Sequence, residues 1–350
     1  MTTVGVAACQ MTATKRYNSG IQRVKGLLEL ASGLYDGSLA TASWKAAEGV
    51  LQTDTPIGNA LKLSLTPRRD DRNGIALSFT TGGFDAIRAV AEGRFSLAWV
   101  NPSVSLTMAY RGKGPFAKPL PLRTIAVFPS YDVMGFAVHR STGIASISQI
   151  KKERAALKLS IRRMDSASRK NDSTMFTVAE VLRVAGFTLE DIRRWGGEIH
   201  LARRPSDPAR RAGIESGEVD AVFDEGIKSW ARTALENGFR FLPVEGAILK
   251  HMTGLGYRSA RMTQARVPGL PAEVQTLDFS GWPMIVRADM PDHVAYALCE
   301  SIERRKDAIP TDNYKPLDIA QLCANDEEAP YDVPLHPGAA RFYRERGYLK

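Results

Sequence analysis

The chain has 350 residues, 44% of them apolar and 24% charged, with a formal net charge of +9. That composition excludes a disordered or fibrous chain, and no stretch approaches the roughly 20 apolar residues of a bilayer-spanning helix. The basic residues are scattered rather than gathered into the stripe of a nucleic-acid binder, so neither nucleic acid nor direct membrane insertion is expected.

Residues 1–25 read as a lead-in. They lack the basic and apolar regions of an export signal, which implies a cytoplasmic protein if Met1 is the true start. The stretch LLELASGLYDGSLATASWKAAEGVL (27–51) then reads as strand, Gly-containing loop and helix. IALSFTTGGFDAIRAVAEG (75–93) reads the same way, with Phe84, Ile87, Val90 and Ala91 on one helical face and Gly93 at the helix end. FSLAWV is continuously apolar, which fits a strand covered on both faces in a parallel sheet. It stops abruptly at Asn101-Pro102-Ser103.

The second half repeats this logic. Residues 157–187 read as strand, long polar loop and helix, ending at Gly186. GIESGEVDAVFDEG then gives a helix tail, Gly217, a strand over Val219–Phe223, and Asp224-Glu225-Gly226. Two apolar extended segments, 122–140 and the one opening 278–305, are placed to cross between two α/β units. The tail 335–350 is expected to dock as a short helix on the first unit.

In open α/β sheets, ligands bind beyond the carboxyl ends of strands, where following helices aim free N–H groups. Five loops fall there. They are Tyr35-Asp36-Gly37-Ser38, Thr80-Thr81-Gly82-Gly83, Asn101-Pro102-Ser103, the 165–174 loop with Ser166, Ser168, Asn171, Ser173 and Thr174, and Asp224-Glu225. The same residue types also serve as ordinary caps and turns. There is no phosphate-binding GxxxxGK[ST] and no GxSxG elbow, and no histidine lies in any of the five loops. Cys9, Cys299 and Cys323 form no obvious disulfide framework, and the five histidines show no zinc-ligand pair, so no metal or cofactor is expected.

The series LLELASGLYDGSLATASWKAAEGVL, TTGGFDAIRAVAEGRFSLAWVNPS, AYRGKGPF, DSTMFTVAEVLRVAGFTLEDI, GIESGEVDAVFDEG, RADMPDHVAYALCESI and PLHPGAARFYRERG resembles the TAXI-type solute-binding proteins of TRAP transporters. The resemblance runs from about residue 27 to the end. It implies a two-lobe type II periplasmic-binding-protein-like α/β fold, each lobe a mainly parallel sheet flanked by helices, joined by two crossover segments. The corresponding division is a lead-in (1–25), lobe 1 (26–136), lobe 2 (137–282) and a return to lobe 1 (283–350). It also implies capture of a small carboxylate, amino acid or zwitterion in the inter-lobe cleft, hinge closure, handover to TRAP membrane subunits, and a periplasmic location.

Two features depart from the family pattern: Asn171-Asp172-Ser173-Thr174 replaces a Gly/Ser-rich helix start, and Asp224-Glu225 ends the second-lobe strand. Two carboxylates there would need pairing by Arg163, Arg169 or Lys170, or a ligand with donor groups. Tyr35, Phe84 and Trp282 offer rings for stacking. The alternative is a cytoplasmic enzyme on the same fold, decarboxylase-like or menaquinone-pathway-like, with Asp224 or Glu225 as acid/base.

Overall fold

The computed structural model describes residues 29–30, 33–34, 42–44, 52–55, 58–67, 75–163, 172–309 and 316–350. The first part of the chain forms β1 (Ala42–Trp44), β2 (Gln52–Thr55), β3 (Gly58–Pro67), β4 (Ile75–Gly82), α1 (Phe84–Ala91), β5 (Leu97–Val100), α2 (Ser103–Arg111) and β6 (Leu122–Phe128). The middle part forms β7 (Gly135–His139), α3 (Ile147–Glu153), β8 (Lys158–Arg162), α4 (Asp172–Ala185), α5 (Leu189–Arg194), β9 (Glu198–Ala202), α6 (Pro208–Ser216) and β10 (Ala221–Asp224). It continues through α7 (Ala231–Glu236), β11 (Phe239–Phe241), α8 (Gly246–Leu255), β12 (Ser259–Met262) and β13 (Val274–Leu277). The last part forms β14 (Trp282–Arg287), α9 (Asp292–Arg304) and α10 (Pro337–Glu345).

Apolar spacing explains the elements around the first strand end. α1 buries Phe84, Ala86, Ile87, Ala89 and Val90 along one face. Gly93, with φ +75°, lets the chain turn back into β5. All four residues of β5 are buried, because β5 lies inside its sheet between β4 and β14.

Two larger sheets result. One runs β1–β3–β4–β5–β14–β6, with β2 added on β3; the other runs β11–β7–β10–β8–β9. The α/β class agrees with the sequence reading, but strand direction is mixed rather than mainly parallel. Among the described residues, in the first sheet only β4 and β5 run parallel, whereas in the second β10–β8 and β8–β9 do. Continuous apolar runs report burial on two faces, and an antiparallel neighbour such as β14 satisfies that equally well.

The 27–51 stretch also differs from the strand, loop and helix expected. Residues 29–30 and 33–34 are helical, and 42–44 form β1. Leu30 and Leu34 are spaced i, i+4 and both are buried against the α9 core. Burial of each side chain contributes about 1.5–3 kcal/mol, which favours the helical stripe.

The chain passes from the first sheet to the second between β6 and β7, and returns between β13 and β14. These two segments run side by side. Met134 N–H donates to Leu277 O (3.0 Å), Phe279 N–H to Asp132 O (2.9 Å), and Gly281 N–H to Ser130 O (2.9 Å). One core, with Trp99, Phe128, Leu298 and Phe342, lies between the first sheet and α9 and α10. A second runs from α1 and α2 to α4 and α8, joining Phe84 and Val104 to Val178 and Met252. The tail helix α10 docks on the first sheet, where Tyr343 Oη donates to Ile125 O (3.1 Å).

Candidate functional site

The first sheet presents two adjacent strand ends. Gly82 of β4 lies level with Val100 of β5, so Gly83 and Asn101 leave the sheet side by side. Each leads into a helix with no side-chain cap: Gly83 precedes α1 and Pro102 precedes α2. Such helix starts expose partly positive N–H groups. Asn101 Nδ2 donates to Gly281 O (3.3 Å), and Ser103 N–H donates to Ser280 O (3.2 Å). This strand end is thereby tied to the returning crossing segment. The hydroxyls of Ser103 and Ser105 are buried and have no hydrogen-bond partner among the described residues.

The second sheet contributes the start of α4. Ser173 Oγ donates to Asn101 O (3.4 Å), and Phe176 meets Phe84 edge-on with ring centroids 5.7 Å apart. Thr177 Oγ1 pairs with Tyr257 Oη at 2.6 Å. Asn101 and Ser173 are thus brought together, and Ser173 and Thr174 are both buried. Thr80 and Thr81 lie on β4 by backbone register. Tyr35, Asp36, Gly37, Ser38, Ser166, Ser168 and Asn171 lie outside the described residues, as do Arg169 and Lys170. Phe84 and Trp282 are core side chains here.

Asp224 corrects the sequence reading. Its carboxylate is fully buried and accepts from Arg162 Nε and Nη2 (both 3.2 Å) and from Arg210 Nη1 (2.5 Å). Burial alone would raise its pKa, but the charges and hydrogen bonds of Arg162 and Arg210 outweigh that and hold it below the usual aspartate value. Glu225 is also engaged by Arg162. The expectation of two carboxylates offered to a ligand is therefore revised, since the protein's own guanidiniums occupy them. An ionised Asp224 has no proton to donate and is a weak base, which removes it as the acid/base of the enzymatic alternative.

Arg162 and Arg210 were not singled out in the sequence. The sequence carried no signal for Arg162, since alternation along KLSIR puts it on the face of Lys158 and Ser160, whereas in the structure the four residues after Lys158 are all buried. Arg210 Nε also donates to Ser160 Oγ (3.0 Å), fixing the guanidinium beneath the strand ends.

Asp132, in the first crossing segment, was missed too. Its carboxyl accepts from the N–H groups of Gly226 (2.8 and 3.0 Å) and Val133 (2.9 Å), and it hydrogen-bonds Glu225. Burial and the adjacent Glu225 charge push its pKa well above the usual aspartate value, against the opposing N–H donors. A carboxyl raised in the folded state gives stability that is full below its unfolded value of about 3.9 and is lost as pH rises through the folded value. Unfolding free energy measured by urea from about pH 5 to about pH 9 is expected to fall with pH, and Asp132→Asn is expected to flatten that slope. A wild-type stability that rises over this window would contradict the assignment.

Among the described residues, no helix is long and apolar enough to cross a membrane, and no cluster of His, Cys, Asp or Glu could hold a metal ion.

No family model matches the sequence. Several solved structures resemble the chain at low identity. The periplasmic aliphatic sulphonate binding protein SsuA from Escherichia coli is 14% identical, over 77% of this chain and 81% of its own, with a TM-score of 0.32. PhnD1 from Prochlorococcus marinus, in complex with methylphosphonate, is 12% identical over 76% of this chain and 84% of its own, with a TM-score of 0.35. An ABC transporter / periplasmic binding protein from Brucella ovis with glutathione bound is 15% identical, with a TM-score of 0.29. That match covers 60% of this chain but only 48% of the Brucella protein's.

Proposed function

We propose that the chain binds a small organic solute bearing a carboxylate or comparable acidic group between its two sheets, for uptake by a membrane transporter. The observation that carries the reading is the meeting of Asn101 from one sheet with Ser173 from the other, beside helix starts that no side chain caps. The buried Ser103 hydroxyl, without a hydrogen-bond partner among the described residues, lies against Gly281 of the returning crossing segment and next to this strand end. On this reading, residues 26–136 and 283–350 form one lobe and 137–282 the other, with the paired crossing segments as the hinge. Handover to TRAP-type membrane subunits and a periplasmic site of action follow from the sequence resemblance. The enzymatic alternative loses Asp224, which Arg162 and Arg210 hold ionised, and would rest on Glu225 as its acid/base.

A thermal-shift screen tests the reading. The panel comprises dicarboxylates, monocarboxylates, amino acids, ethanesulfonate, methylphosphonate and glutathione. At 100-fold excess over Kd, a bound solute stabilises by about 2.7 kcal/mol, a rise of several degrees. Loss of that rise in Ser103→Val and Ser173→Val would place binding at the strand ends. No shift with any compound would overturn the proposal.

A further inference from the structure

We propose that Phe176 is a latch: a side chain of the second unit that inserts into the first and holds the two units in the closed, solute-gripping arrangement. This deepens the solute-binding reading above and rests on it for what the closed form holds. Phe176 lies on α4, three residues after Ser173, whose hydroxyl reaches Asn101 O. Residues at i and i+3 share a helix face, so both contacts with the first unit leave the same side of α4. The Phe176 ring meets Phe84, the first residue of α1, edge-on with centroids 5.7 Å apart. Phe84 in turn meets Phe116, beyond the end of α2, edge-on at 5.5 Å. Edge-to-face pairs of this kind are favourable beyond the area they bury.

The first unit is shaped to receive the ring. A methyl group built on Gly114, whose φ is +58°, would meet Met108 Sδ at 2.8 Å and Phe176 Cζ at 3.1 Å. Only glycine leaves that space to the incoming ring. The 113–116 turn is held by Arg88 of α1. Its Nη2 donates to Pro115 O (3.1 Å), its Nη1 pairs with Asp85 (2.9 Å), and its guanidinium lies over the Phe116 ring, 5.0 Å from the centroid. Both walls of the socket, Phe84 and the anchored turn, are thereby set by α1.

The contact continues along α2. Val104 and Met108 share one apolar core with Val178 and Met252 of the second unit. Thr107 donates to Asp332 Oδ2 (3.2 Å), and Arg258 of the second unit donates to Asp332 Oδ1 (2.9 Å). These are contacts between the chain's own side chains, so they favour closure whatever solute is offered. Phe176 is the half-buried member of the cluster, and its ring partner Phe84 belongs to the other unit. Truncating it therefore weakens the join between units more than the packing within its own. Apparent affinity scales with the populated fraction of the form that grips the solute, so a latch raises affinity while slowing entry and escape.

The experiment is small-angle X-ray scattering with and without the tightest-binding acid of the panel, followed by stopped-flow binding of that acid. Wild-type protein is set against Phe176→Ala, Phe176→Leu and Arg88→Ala, with circular dichroism to establish that each is folded. The wild type is expected to keep one radius of gyration with and without the acid. Phe176→Ala is expected to be larger without it and to contract to the wild-type value when it binds. The same variant is expected to bind about tenfold more weakly, with faster association and faster dissociation. Phe176→Leu refills part of the socket and is expected to fall between the two, and Arg88→Ala to shift in the same direction as Phe176→Ala. A wild type that contracts on adding the acid, or a folded Phe176→Ala that matches it in radius and affinity, would overturn the inference while leaving solute binding intact. Should Phe176→Ala fail to fold, unchanged scattering and affinity in both Phe176→Leu and Arg88→Ala would overturn it equally. If no acid of the panel binds, the solute reading falls, whereas scattering without solute still decides the latch: an expanded Phe176→Ala supports it and an unexpanded one overturns it.

Discussion

Asp224→Ala is expected to cost about 3–5 kcal/mol of unfolding free energy, the usual consequence of removing one partner from a buried ion-pair cluster. The substitution leaves Arg162 and Arg210 facing each other with no shared counter-ion, and both are 4% exposed or less. Neither guanidinium can neutralise itself by giving up a proton. The loss therefore exceeds that of an exposed pair such as Arg232–Glu236, whose side chains stay in water and whose attraction is screened. Denaturant midpoints of wild type, Asp224→Ala and Arg232→Ala at neutral pH give the comparison directly. The sign of the pH dependence is fixed as well. Asp224 has a lowered folded-state value, so its contribution is present above the ordinary aspartate value and lost as pH falls through the folded one. The gap between wild type and Asp224→Ala is expected to narrow in acid. An Asp224→Ala protein as stable as wild type at neutral pH would show that the cluster is not held as described.

Trp99→Ala is expected to cost a comparable amount, about 3–5 kcal/mol. Trp99 is 1% exposed on β5, with its ring centroid 4.2 Å from that of Phe128 and 6.1 Å from that of Trp282. Its Nε1–H donates to Trp282 O at 3.1 Å, across the β5–β14 pair. Truncation therefore opens a cavity and leaves a carbonyl without that donor. Trp99→Phe keeps most of the volume and is expected to lose markedly less. Because Trp99 lies two residues before Asn101, the alanine variant is also expected to bind solute more weakly. Unfolding curves of the two variants test the first effect, and the thermal-shift response to the best-binding acid tests the second.

Where an element was set by local apolar spacing, the sequence was a good guide. Phe84, Ile87 and Val90 marked α1, and Gly93 and Gly217 marked the turns into β5 and toward β10. The pause at Asn101-Pro102-Ser103 was legible for the same reason, because polar residues ended a buried strand. Partnership between distant residues was not legible. Nothing in KLSIRR says that Arg162, rather than Arg163, turns inward to meet Asp224 sixty-two positions on. Strand alternation does not separate the two, because β8 is buried on both faces and the outcome depends on register with β10. Asp132 was unremarked within the extended 122–140 segment, and its role depends on the Gly226 N–H and Glu225 arriving from another strand. The apolar run at 27–34 illustrates the opposite error. Leucines at i and i+4 serve a helix, but a short run of them reads equally well as a strand.

The most direct test of solute binding between the two sheets is amide hydrogen exchange, with and without the tightest-binding acid of the panel. Protection is expected to appear together at 82–84 and 101–105 of the first sheet and at 172–176 of the second. Protection confined to one sheet would contradict the account. So would protection at the outer groove between α8 and the β12–β13 hairpin, lined by Glu245, Leu249 and Arg261.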